Sequence, residues 1–290
     1  MKLCRFNDNQ LGVVKDGLVY DVSGVLDLLP TCKYPLPQKD LLIEALGSLK
    51  APIEQALKTA KTSPADSVKF LSPVANPGKI IGAPINYAAH IDESKLDAGI
   101  AHGRAITSIG DWGLFLKAGT SLIGFGDEIV LRFADRRNDH EVELGVVIGS
   151  ECRAVAAAAA MQYIAGYTVA LDMTLRGKEF QCFRKSIDTY SVLGPWLVTP
   201  DEIADPNQLD LWLKVNGEMR QQSNTRHLVY DIARLIEYAS SMYTLQPGDV
   251  IMTGTPAGVG PVEPGDVLQA GIEGIGECSV RVASSYSHHA

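Results

Sequence analysis

Acidic side chains two apart on a strand act on the same point, and Asp139-His140-Glu141-Val142-Glu143-Leu144 has that spacing. Period-two alternation over 140–148 puts Glu141, Glu143, Gly145 and Val147 on one face and Val142, Leu144, Val146 and Ile148 on the other. Two carboxylates that close repel unless a cation or a proton sits between them. Glu-x-Glu alone is more often the solvated face of an edge strand. Asp172 shifts the balance, because it ends the apolar run 167–171, where an unpaired charge is costly to desolvate. Three hard oxygen ligands, Glu141, Glu143 and Asp172, suit Mg²⁺ or Mn²⁺ better than zinc and leave positions for water and a chelating substrate.

A second group is Asn86-Tyr87-Ala88-Ala89-His90-Ile91-Asp92-Glu93. If it opens a helix, His90 and Glu93 stand one turn apart on the same face. A carboxylate there holds the imidazole in one tautomer and raises its basicity, as activation of water requires. A surface helix pair has the same spacing. Lys117 precedes Asp172, and Arg176 and Lys185 follow it. Each is either an ordinary exposed cation or a counter-charge that also grips a substrate carboxylate. The glycine-rich loop 252–260 matches neither a dinucleotide fingerprint nor a phosphate loop, since no Gly-Lys-Ser/Thr follows. The sequence has no serine-nucleophile elbow and no His-Glu-x-x-His.

The elements that must position these residues divide at the proline- and glycine-rich stretch Ser72-Pro73 to Asn76-Pro77-Gly78. Residues 1–72 read as a small N-terminal α/β domain, with a hairpin turning at Asp16-Gly17 and helices over 39–49 and 53–61 broken at Pro52. Residues 73–282 read as a β-rich catalytic domain of α+β class, and 283–290 as a flexible tail. Within it, Asn216-Gly217 turns a second hairpin, and Ile232, Leu235, Ile236, Ala239 and Tyr243 share a helix face. The two Pro-Gly-Asp-Val strings at 247 and 264 are turn chemistry and no repeat.

Bulk properties bound the partners. The net charge of −8 argues against nucleic acid and anionic membranes, though a few local cations still suffice for an anionic substrate. The apolar stretch 154–171 contains Gln162 and Gly166 and reads as a core helix followed by a buried strand, not a membrane span. Five cysteines without metal-type spacing suit a reduced compartment, hence the cytoplasm.

Taken in order, the segments Asn86-Tyr87-x-x-His90-x-x-Glu93, Phe115-x-Lys117, Glu141-Val142-Glu143-Leu144, Leu171-Asp172-Met173-Thr174, Lys185-Ser186, Gly194-Pro195-Trp196 and Thr253-Gly254-Thr255-Pro256 resemble the fumarylacetoacetate hydrolase family over about 79–282. The resemblance implies a mixed β-roll catalytic domain, a homodimer, and one divalent metal on Glu141, Glu143 and Asp172. It implies that His90 and Glu93 form a water-activating dyad on a mobile segment, with Lys185 stabilising the enolate that develops. Tyr87, Lys117, Arg176, Glu179 and Thr255 are then the expected substrate contacts. The implied reaction is hydrolysis of a carbon–carbon bond in a small acylpyruvate-type keto acid through a metal-stabilised enolate. A 2-keto acid decarboxylase, tautomerase or hydratase would use the same site, and a metal-free binding protein would keep the fold without the chemistry. Three positions depart from the family pattern: Ala118 where many relatives have proline, Glu179 where some have a substrate-contacting glutamine, and a longer 92–112 segment, punctuated by Gly99, Gly103 and Gly110.

Overall fold

The computed structural model describes residues 1–103 and 105–284. Among these the largest sheet has twelve strands. Its path starts at Thr62–Pro64 and passes Leu18–Asp21, Gln10–Lys15 and Lys2–Phe6. It continues through Ser191–Val198, Ile164–Asp172 and Val142–Ile148 to Val250–Met252, Ile80–Gly82 and Phe115–Lys117. Lys2–Phe6 pairs antiparallel with Ser191–Val198, so the N-terminal strands extend the main sheet. A three-stranded sheet (Thr174–Leu175, Asn138–His140, Gly260–Pro261) and a five-stranded one complete a mixed, sheet-rich fold with no closed barrel among the described residues.

The central antiparallel pair sets the geometry that matters. Val142 lies opposite Leu171, Glu143 opposite Ala170 and Leu144 opposite Val169. The same register brings the Asp172 N–H to the Glu141 carbonyl at 2.9 Å. Glu141, Glu143 and Asp172 therefore share one face, while Val142, Leu144, Val146, Val169 and Leu171 enter the main core from the other. Both hairpin turns expected from sequence are present, with positive φ at both central residues, Asp16 and Gly17 in one and Asn216 and Gly217 in the other.

Two expectations are corrected. The N-terminal segment forms one helix, Leu41–Ala56, that runs through Pro52. Asp40 caps it, its side chain accepting from the Leu42 and Ile43 N–H groups. Leu49 and Ile53 pack into one core on either side of the proline, and this burial, near the helix end, outweighs the single lost hydrogen bond. The core helix expected within 154–171 shrinks to one turn, Ala157–Ala160, and a 3₁₀ turn, Met161–Tyr163. The strand begins earlier, at Ile164, because pairing with Ile148 captures the residues that precede Tyr167. No helix among the described residues is long and apolar enough to cross a membrane. Ala283 still belongs to the last strand, Gly276–Ala283, and residues 285–290 of the expected tail lie outside the described residues.

Candidate metal centre and active site

The carboxylates of Glu141, Glu143 and Asp172 each offer an oxygen within 4.8 Å of the others, and all three residues are buried. Their charges are treated unequally. Burial alone would raise Glu141, but Lys185 and Arg176 hold its carboxyl down at about 2. Burial, with Asp172 and Glu141 close by, pushes Glu143 well above the usual carboxylate range. A buried oxygen cluster in which one member is forced toward protonation has the donor set and the charge deficit that a hard divalent cation completes. This donor set fits Mg²⁺ or Mn²⁺, which Glu141, Glu143 and Asp172 would hold.

Cations brace this face from behind and from the side. Lys185 Nζ donates to Glu141 Oε2 at 2.7 Å and to Asp172 Oδ2 at 2.6 Å. Burial works against its ammonium, yet Asp172 and Glu141 hold its pKa above the ordinary lysine value. Lys117 donates to Asp172 Oδ1 and, at 2.8 Å, to the Tyr190 carbonyl, while its own burial pulls its pKa down. Arg176 Nη2 donates to Glu141 Oε1 at 3.0 Å, and Thr174 Oγ1 donates to the same oxygen at 3.1 Å.

The dyad comes from a separate element. His90 and Glu93 lie on the helix Ala88–Leu96, with His90 Nδ1 2.8 Å from Glu93 Oε2. Glu93 Oε1 accepts the Gly258 N–H at 2.9 Å, which ties the dyad to the glycine-rich loop. The same loop reaches the carboxylates, since Gly254 N–H donates to Glu143 Oε2 at 2.6 Å. Gly254 has φ +102°, and a Cβ there would stand 2.6 Å from Asn86 Cβ, so the loop needs glycine at this point.

One pocket collects most of the expected residues: His90, Glu141, Glu143, Asp172, Arg176, Lys185 and Thr255 all line it. Thr255 Oγ1 donates to the Val142 carbonyl at 2.9 Å and accepts from Gln221 Nε2 at 2.7 Å. Glu93 and Lys117 act from behind the lining residues they contact. Tyr87 is 1% exposed and does not line the pocket; burial, and then Glu143, push its phenol up. Glu179 also stands apart. Its carboxylate accepts both guanidinium arms of Arg136, each at 3.0 Å, and Gln181 lines the pocket instead.

Sequence reasoning missed Asp139 and Arg137. Asp139 is fully buried between two arginines, accepting from Arg137 Nε at 2.8 Å and from Arg176 Nε at 2.7 Å. Arg137 Nη1 in turn donates to Asp97 Oδ2 at 2.9 Å, at the end of the His90 helix. An alternating chain of charges thus links the helix end to Glu141. The signal for Asp139 was available: it has the same parity as Glu141 and Glu143. Asn86 was quoted only as part of a motif; its amide donates to the Thr253 and Tyr230 carbonyls and so clamps the glycine-rich loop.

Residues 79–283 match the family model for the fumarylacetoacetate (FAA) hydrolase C-terminal domain. The chain belongs to the fumarylacetoacetate hydrolase family. Within that family it is 52% identical over 286 residues to maleylpyruvate hydrolase of Aquipseudomonas alcaligenes, covering 98% of this chain and 100% of that one. It is 37% identical over 293 residues to 2,4-didehydro-3-deoxy-L-rhamnonate hydrolase of Sphingomonas sp. (strain SKA58), covering 95% and 94%. The crystal structure of maleylpyruvate hydrolase from Sphingobium sp. SYK-6, in complex with manganese(II) and pyruvate, superposes with a TM-score of 0.83 at 39% identity, covering 98% and 99%.

Proposed function

We propose that this protein is a divalent-metal-dependent hydrolase that cleaves a carbon–carbon bond of a small acylpyruvate. The observation that carries this reading is the convergence of three carboxylates and a His–Glu pair on one pocket. It gains support from identity of 52% to a maleylpyruvate hydrolase along nearly the whole chain. Glu141, Glu143 and Asp172 hold the metal, which when bound supplies Lewis acidity toward the keto-acid oxygens. His90, oriented by Glu93, takes a proton from a water molecule, which adds to the acyl carbonyl carbon. The carbon–carbon bond then breaks, its electron pair leaves with the pyruvate fragment as an enolate, and protonation gives pyruvate. Lys185 and Arg176 place positive charge where that enolate develops.

We further propose that the enzyme is a cytoplasmic homodimer in which residues 1–72 form a small domain built onto the catalytic sheet. Phe180, which caps the short helix Gln181–Arg184 beside the pocket, and Phe183, within it, are 78% and 63% exposed and are the kind of side chain a subunit interface covers. The reaction is tested by incubating metal-loaded protein with a panel of acylpyruvates and oxaloacetate and following pyruvate release. Chelation abolishes the activity in this account, and Mg²⁺ or Mn²⁺ restores it better than Ca²⁺. Full activity after exhaustive chelation, with no metal bound, contradicts it.

A further inference from the structure

The helix Ala88–Leu96 buries two side chains, His90 and Ser94, and both are polar. They stand four residues apart on one face, and both line the pocket of Glu141, Glu143 and Asp172. A helix on a protein surface ordinarily docks through an apolar stripe. This one presents an imidazole and a hydroxyl instead. Ser94 is 0% exposed, and its Oγ makes no hydrogen bond to the described residues. A helical serine commonly satisfies itself by turning back to the carbonyl one turn earlier, and here that bond is not made. An unpaired buried hydroxyl destabilises a fold, so its retention at this position points to a partner that is not part of the chain.

We propose that Ser94 is a catalytic residue whose hydroxyl donates a hydrogen bond to the acyl-carbonyl oxygen of the substrate, an inference that rests on the hydrolase reading above. The carboxylates of Glu141, Glu143 and Asp172 and the cations of Arg176 and Lys185 serve the keto-acid end in that reading. Of the other described lining residues of segment 88–112, Ile100, Ala101 and Ile106 offer that oxygen no side-chain donor, and the remaining donor, the Trp112 indole N–H, stands on a different helix from His90, Ile109–Trp112. When water held at His90 adds to the acyl carbon, the new carbon–oxygen bond pushes the carbonyl π pair onto the oxygen. That oxygen then carries negative charge until the pair returns and the carbon–carbon bond breaks. A donor one helical turn from His90, fixed before the charge appears, stabilises this oxygen without reorganisation.

The test compares full-length, metal-loaded wild type with Ser94→Ala and Ser94→Thr. On an acylpyruvate that the wild type hydrolyses, Ser94→Ala lowers kcat by about a hundredfold, the lower end for a lost oxyanion donor, and Ser94→Thr keeps most of the rate. The thermal midpoint of Ser94→Ala equals or exceeds that of wild type, because removing an unpaired buried hydroxyl costs the fold nothing. Its affinity for pyruvate in the presence of Mn²⁺, read by calorimetry, is unchanged, since pyruvate lacks the acyl end. Wild-type turnover in Ser94→Ala overturns the proposal while leaving the hydrolase reading intact. So does a loss of turnover matched by a lower midpoint and weaker pyruvate binding, which marks a structural hydroxyl. A wild type that hydrolyses no acylpyruvate overturns both.

Discussion

Two regions meet at the pocket, and they are held by different forces. The strand pair Val142–Ile148 and Ile164–Asp172, with Glu141 just ahead of the first strand, presents the three carboxylates on one face. On the other face it drives Val142, Leu144, Val146, Val169 and Leu171 into the core, each fully buried. Side chains of this kind stabilise a fold by roughly 1.5–3 kcal/mol apiece. The helix Ala88–Leu96 buries no apolar side chain. It is tied down by polar contacts, Glu93 to Gly258 and Asp97 to Arg137, the second pair being 36% and 31% exposed. Ion pairs that exposed contribute about 0–1 kcal/mol. The contrast teaches that the carboxylate cluster is part of the core, whereas the His90–Glu93 pair sits on a helix held by polar contacts.

The largest effect is expected on the core side. Asp172→Ala removes an acceptor shared by the buried ammoniums of Lys117 and Lys185, and breaking such a pair costs about 3–5 kcal/mol. Urea unfolding is expected to show that loss, and titration with Mn²⁺ to show no binding; a variant of wild-type stability would erase the contrast. On the helix side, His90→Ala is expected to cut hydrolysis by about a hundredfold or more, the range for a lost general base. Mn²⁺ affinity and the unfolding midpoint should hold, because His90 is neither a proposed ligand nor part of the apolar core. Glu93→Gln is expected to lose less turnover than His90→Ala, because the amide oxygen can still accept a hydrogen bond from the imidazole. The smallest effect belongs to the Asp97–Arg137 tie. Asp97→Asn should cost turnover several-fold, within the ~1 kcal/mol of an exposed pair, and speed hydrogen exchange over residues 88–101 but not over 142–148. Equal acceleration in both segments would mean that the two regions open together.

How much of this was legible in the sequence follows from the same contrast. Glu141 and Glu143 could be placed because a strand alternates with period two, and Asp172 because a charge at the end of an apolar run is conspicuous. Helical spacing put His90 and Glu93 on one face, but only the family resemblance favoured a dyad over a surface pair. The tie between Arg137 and Asp97 joins residues 40 apart and leaves no local pattern. Ser94 sat at a visible spacing from His90, yet serine in a helix is too ordinary to single out without its burial. Glu179 was chosen by analogy with a glutamine in relatives; Arg136 engages its carboxylate from outside the pocket lining, a pairing that becomes visible only once the chain is folded. Pro52 was taken for a break because local propensity knows nothing of the core that Leu49 and Ile53 share.

The central claim is that water adds to the acyl carbon of an acylpyruvate and a carbon–carbon bond breaks. Turnover in ¹⁸O-labelled water, with both products analysed by mass spectrometry, tests it most directly. The account predicts one solvent oxygen in the new carboxylate of the acid fragment for each pyruvate released, and no carbon dioxide. Release of carbon dioxide without solvent oxygen in the remaining fragment would contradict it and assign the same metal centre to decarboxylation.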